Sequence, residues 1–216
     1  MWLYNKPQKI LFFKSHIYNL LKSLKAYKIY EKDIRSKILR LIYENIDKKK
    51  FYNHLLRIAL NRKIISISLR DKIRPKQNFG IKLVDYERVR PQYKNLKYKK
   101  ILNYLSKINT SKEDVALCVK DKIFETGTSN LLFVKNNKIY SPKNKYYKGI
   151  NLKFYEKKFR IIKKNIYLKE LNQFDEILLI GSGKGVVSAK YILDNHWKRR
   201  KSNVFYLMKR TFEKEF

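Results

Sequence analysis

Apolar residues recur at helical spacing from Phe12 to Tyr27 (Ile17, Leu20, Leu21, Leu24), with lysines on the opposite face, and this predicts an amphipathic helix. A second stretch of the same kind runs from Asp33 to Ile46. The pattern then changes. Leu56–Leu60 and Ile64–Leu69 read as strands, and Asp71–Asn78 is polar and contains a proline, as a linker would. Strand-like Gly80–Val84 opens a second region in which Val115–Val119, Leu131–Val134 and Lys138–Tyr140 are short β runs. Asn136-Asn137 joins the last two, and both residues tolerate the left-handed backbone that a tight hairpin needs. The spacing predicts a helix over Leu152–Lys164, then a strand Glu176–Ile180, the glycine-rich run Gly181–Gly185 and a further β-like run.

These elements predict an α+β chain without internal repeats. A small α+β domain would cover residues 1–72, a linker 73–79, and a larger β-rich domain 80–216. The 216 residues suffice for one sizeable core or two small ones, and 44% hydrophobic and 14% aromatic residues argue for folding over disorder.

Charge complicates this picture. Lys+Arg 52 against Asp+Glu 18 gives a formal net charge of +34, which invites a nucleic-acid reading because lysines release counterions from phosphates. The lysines run end to end, however, and none of the common nucleic-acid motifs appears. Non-specific attraction to polyanions is therefore expected, and specific recognition is not. Cys118 stands alone in an apolar run, which excludes a disulfide framework and a cysteine metal cluster. His16, His54 and His196 lack metal-ligand spacing. The N-terminus shows no secretory apolar segment and no run of about 18 apolar residues exists, so the expected location is the cytoplasm, without a membrane span.

Gly181-Ser182-Gly183-Lys184-Gly185 follows an apolar strand and has the composition of a phosphate loop, since glycines let backbone N–H groups approach an anion. It departs from the Walker A pattern, with Leu178 in place of the first glycine and Gly185 in place of the Ser/Thr after the lysine. It also misses the dinucleotide spacing, and a plain tight turn remains the alternative.

The loop gains meaning in company. Lys100-Ile101-Leu102-Asn103-Tyr104-Leu105 is followed by Glu125-Thr126-Gly127-Thr128-Ser129-Asn130-Leu131-Leu132-Phe133, then Ile139-Tyr140-Ser141-Pro142, Gly149-Ile150 and the Gly-Ser-Gly loop. From about Ile81 to Ile192 this ordered series resembles the class IV aminotransferases: branched-chain aminotransferases, D-amino-acid transaminases and aminodeoxychorismate lyases, with the lyases nearest. The resemblance implies an enzyme dependent on pyridoxal 5'-phosphate, acting on a small-molecule substrate as a homodimer. It implies a small α/β domain plus a larger β-rich pseudobarrel domain, N-terminally truncated relative to the family, with the site at the domain junction.

By the same resemblance Lys100 is the amine that holds the cofactor covalently and moves protons. It stands three residues before Asn103, as in the lyases and D-amino-acid transaminases; the branched-chain spacing of four would select Lys99. Glu125, five before Asn130, would face the cofactor's ring nitrogen. Ile150, Asn151 and Ser182 would hold its phosphate, and the Gly183 amide would face the substrate carboxylate. Tyr104 would hydrogen-bond the ring hydroxyl, or else pack as an ordinary aromatic.

Three departures accompany the resemblance. In His16-Ile17-Tyr18-Asn19-Leu20, Asn19 stands where relatives have the arginine that grips the cofactor phosphate. Relatives carry a strand pair and a Gly-Asp-Gly-x-Phe-Glu-Thr segment ahead of this helix, and that segment is missing here. Only 25 positions (125 − 100) separate Lys100 from Glu125, which is short for the family. The expected reaction is conversion of 4-amino-4-deoxychorismate to 4-aminobenzoate and pyruvate. The alternatives are amino-acid transamination and, from another class, polyanion binding on a degenerate enzyme scaffold.

Overall fold

The computed structural model describes residues 1–30 and 32–216. They form two compact units, Met1–Lys72 and Ile73–Phe216.

The first unit contains β1 (Trp2–Asn5), β2 (Lys9–Ile10), α1 (Phe13–Ala26), α2 (Ile34–Asn45), β3 (Tyr52–Leu60) and β4 (Ile65–Asp71). Its four strands make an antiparallel sheet in the order β2-β1-β3-β4. Both helices lie within a residue or two of their expected limits, because the apolar stripe sets the buried face: Ile17 and Leu24 of α1 and Ile38 of α2 are buried. A strand pair does precede α1, which the helical pattern downstream gave no reason to expect. Leu3 of β1 is fully buried and packs with Ile46, Tyr52 and Leu56. Strand β3 starts at Tyr52, earlier than the apolar run suggested, because Asn5 to Trp2 pair with Tyr52 to Leu55.

The second unit contains β5 (Phe79–Asp85), α3 (Lys99–Leu105), β6 (Glu113–Val119), β7 (Lys122–Thr126), β8 (Asn130–Lys135), β9 (Lys138–Pro142), α4 (Ile150–Lys158), β10 (Ile161–Lys164), β11 (Ile166–Tyr167), a 3-10 turn (Leu168–Gln173), β12 (Glu176–Gly181), β13 (Gly185–Ile192) and α5 (Asn203–Glu213). Nine strands form one mixed sheet in the order β10-β9-β8-β12-β13-β5-β6-β7-β11. The pairs β9–β10, β5–β13 and β5–β6 are parallel. Helix α3 lies in the crossover between β5 and β6, packing Ile101 against Val115 and Leu117.

The continuous apolar runs belong to strands covered on both faces: Leu131–Val134 and Ile177–Ile180 are all buried. Phe133, Phe174 and Trp197 fill the centre, and the Trp197 indole N–H donates to the Phe174 carbonyl at 2.8 Å. Asn136 and Asn137 both take positive φ (49° and 58°) at the β8–β9 hairpin tip. Phe79 belongs to β5, so the polar stretch ends one residue before the expected position 79.

One expected element is corrected. The helix placed over Leu152–Lys164 ends at Lys158, and Ile161–Lys164 is instead strand β10, paired with β9. The β-branched pair Ile161-Ile162 suits this edge strand, and pairing with β9 prevails over continuation of the helix. Helix α5 buries Val204, Met208 and Phe212 against β12 and β13. Its N-terminal amides, Val204 and Phe205, donate to the buried Glu176 carboxylate at 3.0 and 2.9 Å, where the helix dipole favours an anion.

Candidate active site

The residues between β7 and β8, the start of α4 and the β12–β13 turn come together at one side of the second unit. Glu125, near the end of β7, is 3% exposed. Its Oε1 accepts from Arg88 Nε at 2.8 Å and its Oε2 from the Tyr147 amide at 3.2 Å. Burial pushes its carboxyl above the ordinary range, while the Arg88 guanidinium, the Tyr147 amide and Lys94 pull it back down. Each oxygen has a second lone pair, so the carboxylate retains room for a further donor at each oxygen.

From Glu125 a chain of hydrogen bonds leads to α4. Tyr147, whose amide meets Glu125, accepts at its carbonyl from Asn130 Nδ2 at 2.6 Å. Asn130 Oδ1 in turn accepts from the Gly149 amide at 3.0 Å. Gly149 is the N-cap of α4, and only glycine fits there, since a Cβ would stand 2.8 Å from Asn130 Oδ1. Asn130 thus fixes where α4 begins.

The first turn of α4 carries no acidic residue, and the amides of Ile150 and Asn151 lie among its orphan N–H groups. Both residues are buried. Asn151 Nδ2 donates to the Gly181 carbonyl at 3.2 Å, while its Oδ1 is buried without a partner among the described residues. Ser182 and Gly183, both half-buried, form the tip of the β12–β13 hairpin, where Gly181 pairs with Gly185. The tip is held close: a Cβ at Gly181 would meet Ser129 Oγ at 3.0 Å. The loop is therefore neither a Walker A loop nor a dinucleotide fold, both of which need a helix after the glycines.

The expected lysine and tyrosine occupy a neighbouring cluster. Lys100 is exposed on the first turn of α3, its Nζ 5.0 Å from the centre of the Tyr86 ring. The half-buried Tyr104 ring lies 6.4 Å from that of Tyr86. Two links join this cluster to Glu125. Ile101, next to Lys100, packs on Gly127, and Arg88, two residues after Tyr86, also donates to the Gly127 carbonyl at 3.3 Å. An open depression of about 550 Å³ lies nearby, lined by Glu87, Gln92, Lys143, Lys145 and Lys148 among others, but Lys100 and Glu125 do not line it. In the first unit, Asn19 is buried on α1, its carbonyl accepting from Ser23 Oγ at 3.0 Å.

Sequence reasoning missed Arg88, one of many basic residues without a distinguishing neighbour. It also missed the bracket formed by Asn130, which sat inside a quoted motif. A third omission is Asp114, fully buried, which pairs with Lys184 of the glycine-rich loop at 3.1 Å. No group of His, Cys, Asp or Glu that could hold a metal occurs among the described residues, and no helix among them is long and apolar enough to cross a membrane.

The donor set fits a phosphorylated pyridine. It offers an acid-free helix start, a hydroxyl-bearing hairpin tip beside it, an unpartnered buried acceptor, and a buried carboxylate joined to that helix start through Tyr147 and Asn130.

Comparisons with known proteins agree. The family described as amino-transferase class IV matches residues 2–192. The chain finds no match among curated protein sequences. Among solved structures, a Legionella pneumophila protein assigned as a 4-amino-4-deoxychorismate lyase is 14% identical. The match covers 100% of this chain and 90% of that one, with a TM-score of 0.80. The 4-amino-4-deoxychorismate lyase from Pseudomonas aeruginosa is 12% identical over 100% of this chain and 88% of that one, with a TM-score of 0.71. A branched-chain amino acid aminotransferase from T.th., complexed with N-(5'-phosphopyridoxyl)-L-glutamate, is 12% identical over 99% of this chain and 81% of that one, with a TM-score of 0.81. At such identities these likenesses concern the fold, and the family match spans most of the chain. The chain belongs to the class IV aminotransferases, a family of pyridoxal-phosphate-dependent enzymes.

Proposed function

We propose that this enzyme converts 4-amino-4-deoxychorismate to 4-aminobenzoate and pyruvate. The observation that carries the placement of its site is the bonded path from the buried Glu125 carboxylate, through Tyr147 and Asn130, to the free amides at the start of α4. The choice of a lyase is supported by the three-residue step from Lys100 to Asn103.

In this reading Glu125 faces the cofactor's ring nitrogen, with Arg88 paired to its other side. The Ile150 and Asn151 amides and the Ser182 hydroxyl hold the phosphate, Tyr104 the ring hydroxyl, and the Gly183 amide a substrate carboxylate. When bound, pyridoxal phosphate supplies an electron sink for the pair left when a C–H bond beside the substrate nitrogen breaks. Lys100 would hold the cofactor at rest and, once displaced by the substrate's amino group, its free amine would take the proton from the ring carbon bearing that group. The adjacent C–O bond breaks, the proton passes to the departing enolpyruvyl group as pyruvate, and the ring becomes aromatic. With Asn19 in the arginine's place, the phosphate relies on amides and a hydroxyl, and affinity should be weak for the family.

A second reading, amino-acid transamination, is favoured by the TM-score of 0.81 to the branched-chain enzyme, as high as that to either lyase. Borohydride reduction of the protein loaded with pyridoxal phosphate, followed by peptide mapping, tests the site. The label is expected on Lys100; on Lys99 it would favour the branched-chain type, and no label would overturn the reading. Release of 4-aminobenzoate and pyruvate in equal amounts tests the substrate.

A further inference from the structure

The Asp114 carboxylate, at the start of β6, is buried completely, and four groups converge on it. Oδ1 accepts from the Val115 amide at 2.8 Å. Oδ2 accepts from Lys184 Nζ at 3.1 Å, from Thr126 Oγ1 at 2.9 Å and from Thr128 Oγ1. The three side-chain donors lie 12, 14 and 70 residues further along the chain. Thr126 directly follows Glu125, Thr128 lies in the β7–β8 connection, and Lys184 directly follows Gly183. The Lys184 side chain is 4% exposed, and its ammonium also lies 4.7 Å from the centre of the Phe79 ring. Ser129 and the Thr128 carbonyl also sit against Gly181, where a Cβ would stand 3.0 Å from Ser129 Oγ and 3.2 Å from the Thr128 carbonyl.

Two ionised groups taken out of water cost several kcal/mol each, so a buried pair is a poor source of stability on its own. What this one gains is geometry. A lysine at the tip of a glycine-rich hairpin would ordinarily turn to solvent, whereas here it turns inward and anchors the tip. We infer that Asp114 and Lys184 are positioning residues that lock the Ser182–Gly183 tip to the strand end carrying Glu125, setting the distance between the two ends of the cofactor. The functional half of this inference rests on the proposed function, whereas the lock itself does not.

The test uses the charge-neutral double variant Asp114→Asn/Lys184→Met, because either single change would strand a buried charge and threaten folding. Amide hydrogen exchange in the cofactor-free protein reads the lock. Exchange from Gly181 to Gly185 is expected to quicken about tenfold or more, with β8 and the centre of β12 unchanged. Unchanged exchange at the tip overturns the inference. The dissociation constant for pyridoxal phosphate reads its use, with thermal midpoint as the folding control. Loss of a supporting shell typically weakens a site by about 10- to 100-fold, and that range is expected here. A loosened tip with wild-type affinity overturns the positioning role. Failure of the wild-type protein to take up pyridoxal phosphate overturns the proposed function instead, and the exchange result still decides the lock.

Discussion

Arg88 Nε lies 2.8 Å from Glu125 Oε1, and the two side chains are 14% and 4% exposed, so an arginine from the loop after β5 neutralises a carboxylate near the end of β7 inside the protein. Removing the guanidinium in Arg88→Met leaves an unpaired buried anion, which costs on the order of 3–5 kcal/mol. Urea denaturation at pH 7 measures it, and a loss under about 1 kcal/mol would mean that the pair is solvated. The sign with pH follows. Glu125 already has a folded-state pKa raised by burial, and losing Arg88 raises it further. The variant should therefore be most stable below the unfolded carboxyl range and lose stability as pH rises through the folded value. Adding Glu125→Gln should remove that slope.

Gly149→Ala places a methyl group 2.8 Å from Asn130 Oδ1 and must displace either that side chain or the start of α4. A stability loss of about 1–3 kcal/mol is expected, as for a buried hydrogen bond broken on one side. Because the same amides are assigned to the cofactor phosphate, the dissociation constant for pyridoxal phosphate should rise in parallel. A variant of lower stability with unchanged affinity would detach α4 from the site.

At the β8–β9 tip, Asn137→Gly should be neutral or slightly stabilising, since φ is 58° there. Asn137→Val should cost about 1–2 kcal/mol, because a β-branched side chain is driven into the left-handed region. Chemical denaturation distinguishes the two. Equal stabilities would show that the turn carries no conformational demand.

Cys118 is buried on β6, and burial, then the nearby Asp85, pushes its thiol up to about 12. At pH 8 roughly one molecule in ten thousand would carry the thiolate when folded, against roughly one in four unfolded. Labelling by a thiol reagent should therefore be negligible until denaturant is added. Since the folded pKa is raised, this group's contribution to stability is full below the ordinary thiol range and is lost as pH rises towards about 12. Cys118→Ala should flatten that alkaline decline.

Much of the scaffold was legible because it follows local rules. The α1 stripe, the all-buried run in β8 and the Asn136-Asn137 turn each depend on residues a few positions apart. The N-terminal strand pair was not legible, since β1 is specified by β3, some fifty residues later. Helix and strand traded places at Ile161 for the same reason: β9, and not the preceding helix, decides that segment. At the candidate site, Glu125, Asn151 and Ser182 were singled out because a known ordered pattern marks them. Arg88 and Asp114 were not, for their partners lie 37 and 70 residues away. In a chain so rich in lysine and arginine, identity alone cannot tell a buried cation from a solvated one.

The parallel pairing of β5 with β13 has a consequence for synthesis. Strand β5, from which the chain leads through the Lys100 helix to β6, joins two halves of the sheet, and its partner Ala189–Ile192 is made more than a hundred residues after it. The segments bearing Lys100 and Glu125 leave the ribosome well before the hairpin tip at Ser182; β12 can pair with β8 as it emerges, but only β13 joins that half of the sheet to β5. The two halves of the sheet are thus not joined until nearly the whole second unit exists. A stalled nascent chain ending before Gly185 should expose the apolar edges of β5 and β12 and depend on chaperones, whatever the supply of cofactor.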